Sequence, residues 1–137
     1  MRPIRKIIIH CSATPEGRHY TVGQIDRFHC QKGFKSIGYH FVIYLDGTVC
    51  PGRPVERIGA HCRGHNADSV GICYIGGIDS QGKPKDTRTP AQRAALIDLV
   101  RKLKTDFPEA AVCGHNQFSN KDCPSFNVQT DPDLRDL

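Results

Sequence analysis

The chain has no long apolar run. Its longest aliphatic stretch near the N-terminus is Ile7-Ile8-Ile9, too short for the apolar region of a signal peptide and far short of the roughly 20 residues that span a bilayer. This predicts a protein without membrane insertion, made and kept in the cytoplasm unless another system releases it. Low-complexity tracts and internal repeats are also missing, which argues against repeat architectures and disordered linkers. There is no dense Arg/Lys tract either. The formal net charge is +5, but the basic residues are spread along the chain, so no nucleic-acid partner is required. A mildly basic surface also draws a protein toward other anionic polymers, a bacterial cell wall among them.

What is present describes one ordinary domain. With 137 residues, 38% hydrophobic and 24% charged, the chain can bury about two thirds of its unfolded surface and needs no covalent staples. Residues 1–137 are therefore read as a single domain, with monomer as the default state. Seven cysteines are an odd number and accompany no secretory signal, which favours reduced thiols in a cytosolic compartment. Most of them read as structural. Cys73 lies inside the apolar run Val70–Ile75, Cys11 is expected on the strand face opposite His10, and Cys30 falls in a helix.

The local signals alternate between strand and helix. Residues 4–10 read as a strand. Thr21-Val22-Gly23-Gln24 is a capping box that opens a helix over 22–32, closed by Gly33. Tyr39–Leu45 is rich in aromatic and β-branched residues, and Asp46-Gly47 before Thr48-Val49-Cys50 predicts a hairpin with a type I′ turn. Residues 51–69, with two prolines and three glycines, form a long loop that carries His61 and His65. Val70–Ile75 is the kind of strand buried on both faces, which belongs at a sheet centre, and Gly76-Gly77 ends it. A second capping box, Thr89-Pro90-Ala91-Gln92, starts a helix over 90–106 with Pro90 in its first turn. A last strand over 110–113 delivers His115 just past its end. The predicted class is α/β, a central mixed sheet of about five strands flanked by helices.

Chemistry concentrates near the C-terminus. Cys113-Gly114-His115 and Lys121-Asp122-Cys123-Pro124 bring an imidazole, an ammonium and thiols into one short loop region. Imidazole nitrogen with thiolate sulfur is a donor set that Zn²⁺ prefers, and His10, at the end of its strand, supplies a third ligand. Three protein ligands leave a position for water, which is the design of a catalytic rather than a structural site. Cys113 is the rival ligand, because in an extended segment it points to the same face as His115.

Together the motifs resemble the zinc-dependent N-acetylmuramoyl-L-alanine amidases of type 2, most closely the short phage lysozymes of amidase type. The resemblance runs almost end to end. It rests on Ile9-His10-Cys11-Ser12-Ala13-Thr14, on Gly38-Tyr39-His40-Phe41 with Asp46-Gly47-Thr48-Val49, and on Gly59-Ala60-His61 with Asn66. Ser69-Val70-Gly71, Gly76-Gly77-Ile78-Asp79, Thr89-Pro90-Ala91-Gln92, Gly114-His115 and Lys121-Asp122-Cys123-Pro124-Ser125-Phe126 complete it. The resemblance implies one zinc in a surface groove, with His10, His115 and Cys123 on the metal-ligand positions. It also implies Tyr39 and Lys121 as catalytic residues and His61 as a substrate contact. The implied reaction is hydrolysis of the amide between N-acetylmuramic acid and L-alanine in peptidoglycan, as in endolysin-mediated lysis. A peptidoglycan-binding module without hydrolysis is the competing expectation on the same fold, and a four-ligand structural zinc site recruiting Cys113 is another. His40, beside Tyr39, is expected to point away from it, and His19, His29 and His65 to lie at the surface.

Overall fold

The structure, a computed structural model, describes residues 2–137. Strand β1 (Lys6–Cys11) is followed by a short β2 (Thr14–Pro15), helix α1 (Val22–Gln31), β3 (Phe41–Ile43), β4 (Val49–Pro51), β5 (Ser69–Tyr74), a short β6 (Gly77–Ile78), α2 (Pro90–Asp106) and β7 (Ala111–Gly114). Five strands form the main sheet in the order β4-β3-β5-β1-β7. β5 pairs in parallel with β1 and β3, β1 pairs in parallel with β7, and only β4 runs antiparallel. All six residues of β5 are buried, as expected for a continuous apolar run between parallel neighbours. The short β2 and β6 pair with each other outside this sheet.

The two faces of the sheet carry different structures. Ile7, Ile9, Val70, Ile72 and Tyr74 point to one side, where they meet Leu96, Leu99, Val100 and Leu103 of α2. The helix starts where the sequence places it, because the Thr89 hydroxyl accepts from the Gln92 N–H at 3.0 Å and the Gln92 side chain accepts from the Thr89 N–H at 2.9 Å. Gln92 then donates its amide to the carbonyls of Ile43 and Ile75, which fixes the helix start against the sheet. On the opposite face Val42 and Ile75 pack with Ile25 of α1 and with Ile37, while Ile8 meets Cys62 and Cys113. Alternation along β1 therefore sends His10 to the face that α2 leaves free.

The hairpin forms, but its turn and its start differ from the sequence expectation. A type I′ turn needs positive φ at both Asp46 and Gly47, and only Gly47 has it, at 87°. The Gly47 N–H donates to the Tyr44 carbonyl and the Tyr44 N–H to the Thr48 carbonyl, each at 2.9 Å, so a tight turn is closed by one left-handed glycine. Strand β3 begins at Phe41 rather than Tyr39. The N–H groups of Gly52 and Arg53 donate in succession to the His40 and Tyr39 carbonyls, which breaks ladder alternation there. Gly52 permits this approach, since a Cβ at that position would lie 2.4 Å from the Tyr39 carbonyl oxygen. Phe41 consequently joins the α2 face while Tyr39 packs with the α1 cluster.

A buried ion network ties down the C-terminal segment. Arg88 is held by Asp86 at 2.8 Å and Asp131 at 2.7 Å, and its guanidinium lies 3.6 Å over the Phe126 ring. Burial opposes the charge, but the two carboxylates outweigh it and hold the arginine ionised. Removing one partner of a buried pair leaves charge uncompensated. Asp131→Ala is expected to cost about 3 kcal/mol in urea unfolding, and a loss below about 1 kcal/mol would show that Asp86 alone suffices.

Candidate metal centre

His10, His115 and Cys123 arrive from three places in the chain. His10 is the last residue but one of β1, and the β1–β7 register, which sets Ile9 opposite Gly114, brings His115 beside it from a 3-10 turn that starts where β7 stops. The centroids of the two imidazoles are 4.5 Å apart. Cys123 comes from the C-terminal segment, which is anchored on the sheet: the Tyr74 hydroxyl donates to the Pro124 carbonyl at 2.6 Å and the Ser125 hydroxyl to the Gly77 carbonyl at 2.7 Å. One donor atom of each residue lies within 4.8 Å of the others. His10 Nδ1 and Cys123 Sγ are 3.6 Å apart, close to the ~3.5 Å edge of a tetrahedron with zinc–nitrogen and zinc–sulfur arms.

The local electrostatics suit metal ligation. Burial, reinforced by His61, His115 and Lys121, pushes His10 well below the usual histidine range, and burial together with Lys121 lowers His115. Both rings thus stay neutral and keep a lone pair for a cation. The backbone N–H of Cys11 donates to Cys123 Sγ at 3.2 Å, a contact that stabilises thiolate at that sulfur. The thiols of Cys11 and Cys123 also interact directly. Their hydrogen bond favours a single ionisation of the pair, bringing Cys11 down to about 7 and raising Cys123. With a cation held by the triad, the negative charge belongs on Cys123. Two nitrogens and one polarised sulfur fit Zn²⁺ on chemistry and spacing alike.

Two recesses lie near this triad, one bordered by His115 and the other by Tyr39. One, of about 520 Å³, borders His61, Arg63, His115, Phe118 and Lys121. The other, of about 430 Å³, borders Ser12, Thr14, Tyr20, His29 and Tyr39. The His10 ring sits between His115 and Tyr39, whose centroid is 5.1 Å away. Tyr39 is half-buried as a residue, but its hydroxyl is within reach of the buried Cys73 thiol, and burial raises it well above the ordinary tyrosine range. Lys121 is exposed, beside His115, and belongs to none of the ion pairs among the described residues. The donor set for a metal thus has a phenol on one side, at His10, and an ammonium on the other, beside His115.

The family model described as N-acetylmuramoyl-L-alanine amidase matches residues 1–126. The chain belongs to this amidase family. The endolysin of Klebsiella phage KP32 is 41% identical over 124 residues, covering 90% of this chain and 82% of that protein. Among solved structures, the N-acetylmuramoyl-L-alanine amidase LysC from Clostridium intestinale superposes with a TM-score of 0.81 at 32% identity, covering 92% of this chain and 79% of that one. A tyrosine-to-phenylalanine variant of Drosophila PGRP-LB, solved with tracheal cytotoxin, gives a TM-score of 0.81 at 26% identity, covering 98% and 85%.

In this amidase the other five residues expected at the site, His61, Tyr39, His115, Lys121 and Cys123, all lie near His10. His61 is close but differently employed. It is 9% exposed, with Nδ1 2.8 Å from His10 Nε2 and Nε2 3.1 Å from Ser69 Oγ, so only its ring carbons and backbone remain for a substrate. Cys113 stands one strand pair away, opposite Ile8, and is not part of the triad. Asn66 closes the loop by accepting from the N–H groups of His61 and Cys62. His40 is structural, its Nδ1 accepting from the Gly71 N–H at 3.0 Å. His29 is half-buried rather than free at the surface: its Nδ1 accepts from the Gly38 N–H and its ring packs on Tyr39. Sequence reading also missed Cys11 and Tyr74 as supports of Cys123, because nothing in their local spacing marks a partner that folding brings from the far end of the chain.

So many buried neutral imidazoles make stability depend on pH. Burial lowers His10, His40 and His115, and it takes His61 down to about 3. Unfolded, each takes up a proton near pH 6.5, so the unfolded state binds more protons below that value and stability rises with pH. The metal-free amidase is expected to keep this stability above pH 7 and to lose it progressively below about pH 6.5. Each histidine held neutral contributes up to ~1.4 kcal/mol per pH unit. Urea midpoints between pH 8 and pH 5 measure the effect, and a midpoint that rises on acidification would contradict it.

Proposed function

We propose that this amidase uses one zinc ion per chain, held by His10, His115 and Cys123, and acts as an endolysin-like wall hydrolase. Its substrate class is peptidoglycan, and the bond cut is the amide joining the lactyl group of N-acetylmuramic acid to L-alanine. The observation that carries this reading is the placement of two imidazoles and a thiol within 4.8 Å of one another, beside a recess bordered by His61, His115 and Lys121. Zinc bound there lowers the pKa of a water to roughly 7 and polarises a carbonyl.

The chain's own residues supply orientation and charge. Lys121, exposed beside His115, places a positive charge where the tetrahedral oxyanion develops. Tyr39, held neutral by its surroundings, is a hydrogen-bond donor that orients the attacking water or the oxyanion, since a phenol so raised is a poor general base. His61 lines the recess beside His115 and offers its ring to the substrate as a wall. The whole of residues 1–137 works as one amidase domain, monomeric, with no nucleic acid required. No helix among the described residues is long and apolar enough to cross a membrane. We infer synthesis in the cytoplasm and access to the wall through a separate release system.

Metal analysis combined with turbidity of permeabilised Gram-negative cells tests the proposal. Stoichiometric zinc, falling turbidity and new L-alanine N-termini are expected. Stoichiometric zinc with neither lysis nor new N-termini would instead indicate a wall-binding module.

A further inference from the structure

His61 occupies a more constrained position than a groove wall requires. Its Nδ1 faces His10 Nε2 at 2.8 Å and its Nε2 faces Ser69 Oγ at 3.1 Å. The ring lies flat on Gly71, where a Cβ would come within 2.6 Å of its Cγ, and against Gly59, where a Cβ would lie 2.8 Å from its Cδ2. Both glycines thus leave room for an imidazole at this one place. The backbone on either side of it is fixed by Asn66, whose carboxamide oxygen accepts from two successive N–H groups at 2.9 Å each.

We propose that His61 is a positioning residue for His10: it accepts the Nε2 proton of His10 and so leaves the His10 Nδ1 lone pair free for the metal. The inference rests on the zinc reading and deepens it. His10 turns Nδ1 toward Cys123 Sγ, 3.6 Å away, so a ligating His10 carries its proton on Nε2. A buried N–H without an acceptor costs about 1–3 kcal/mol, and His61 Nδ1 is the acceptor within reach. Accepting at Nδ1 puts the His61 proton on Nε2, where Ser69 Oγ receives it. The Ser69 hydroxyl, which can donate or accept, takes the His61 proton in this arrangement, so His61 can present its Nδ1 lone pair to His10. Outer partners of metal-bound histidines act in this way, and they are often carboxylates. A neutral imidazole in that role leaves the positive charge of the centre undiminished, which favours attack on a carbonyl there.

The test uses the full chain with two readouts that need no turnover. In the metal-free protein, ¹⁵N-histidine NMR above pH 7.5 is expected to show His10 as the Nε2–H tautomer in wild type. His61→Ala is expected to give a mixture, and His61→Asn, whose carboxamide oxygen replaces the Nδ1 acceptor, to restore the wild-type form. In chelator competition, His61→Ala is expected to weaken zinc binding roughly 10–100-fold and His61→Asn to recover most of it. A folded His61→Ala with wild-type tautomer and wild-type zinc affinity would overturn the proposal. If circular dichroism shows that His61→Ala does not fold, His61→Phe, which keeps a ring over Gly71 without an acceptor, carries the test: a mixed tautomer and weaker zinc binding are expected, and no change in either overturns it. Wild type that binds no zinc would refute the metal reading, while the tautomer measurement would still decide the relay.

Discussion

Cys123→Ser is expected to lose zinc and wall hydrolysis together, while Cys113→Ser keeps both. The two thiols are ten residues apart in sequence and both face the same region, yet their surroundings differ. Cys123 Sγ lies 3.6 Å from His10 Nδ1 and accepts a backbone N–H from Cys11, so it is placed and polarised as a ligand. Cys113 is buried against Ile8 and Cys62, its sulfur directed at the Ala111 carbonyl, and burial raises its pKa. Structural zinc sites gain roughly 10–16 kcal/mol from four ligands, so losing one is worth about 3 kcal/mol or more, a factor of hundreds in affinity. A serine hydroxyl does not replace a thiolate for this ion. Zinc analysis after dialysis reads the outcome, and a Cys113→Ser protein that loses its metal would overturn the ligand set.

Lys121→Ala is expected to fold, bind zinc with wild-type affinity and lose about 10²–10³ in kcat. The side chain is exposed and belongs to no ion pair among the described residues, so stability owes it little. Its value is positional, because it is close enough to His10 and His115 to disfavour their protonation and hence close to charge developing at the triad. The effect should fall on kcat rather than KM, since the oxyanion exists only beyond the ground state. Near wild-type turnover would remove the lysine from the mechanism.

The sequence made some parts of this fold plain and hid others for a physical reason. Both capping boxes are written in four consecutive residues, and both helices begin where those residues place them. The unbroken apolar character of residues 70–75 marked the central strand for the same reason, since burial on two faces leaves a local trace. Tyr39 was harder. Period-two alternation from Tyr39 to Leu45 would set it on the face of Phe41, and only the close approach of Gly52 to its carbonyl shows why it faces His10 instead. The supports of the site were not legible at all. His10 and His61 are 51 residues apart and Cys11 and Cys123 are 112 apart, and no spacing rule links residues at such distances. The three candidate ligands were legible because donor chemistry and the family resemblance pointed to the same residues, which the fold brings within 4.8 Å of one another.

Mass spectrometry of purified muropeptides digested by the zinc-loaded protein tests the central claim most directly. The expected products are stem peptides with a free L-alanine amino terminus and glycan whose lactyl groups end in carboxylates. Cleavage within the glycan or within the stem peptide, or intact muropeptides after incubation with the metal-replete protein, would contradict it.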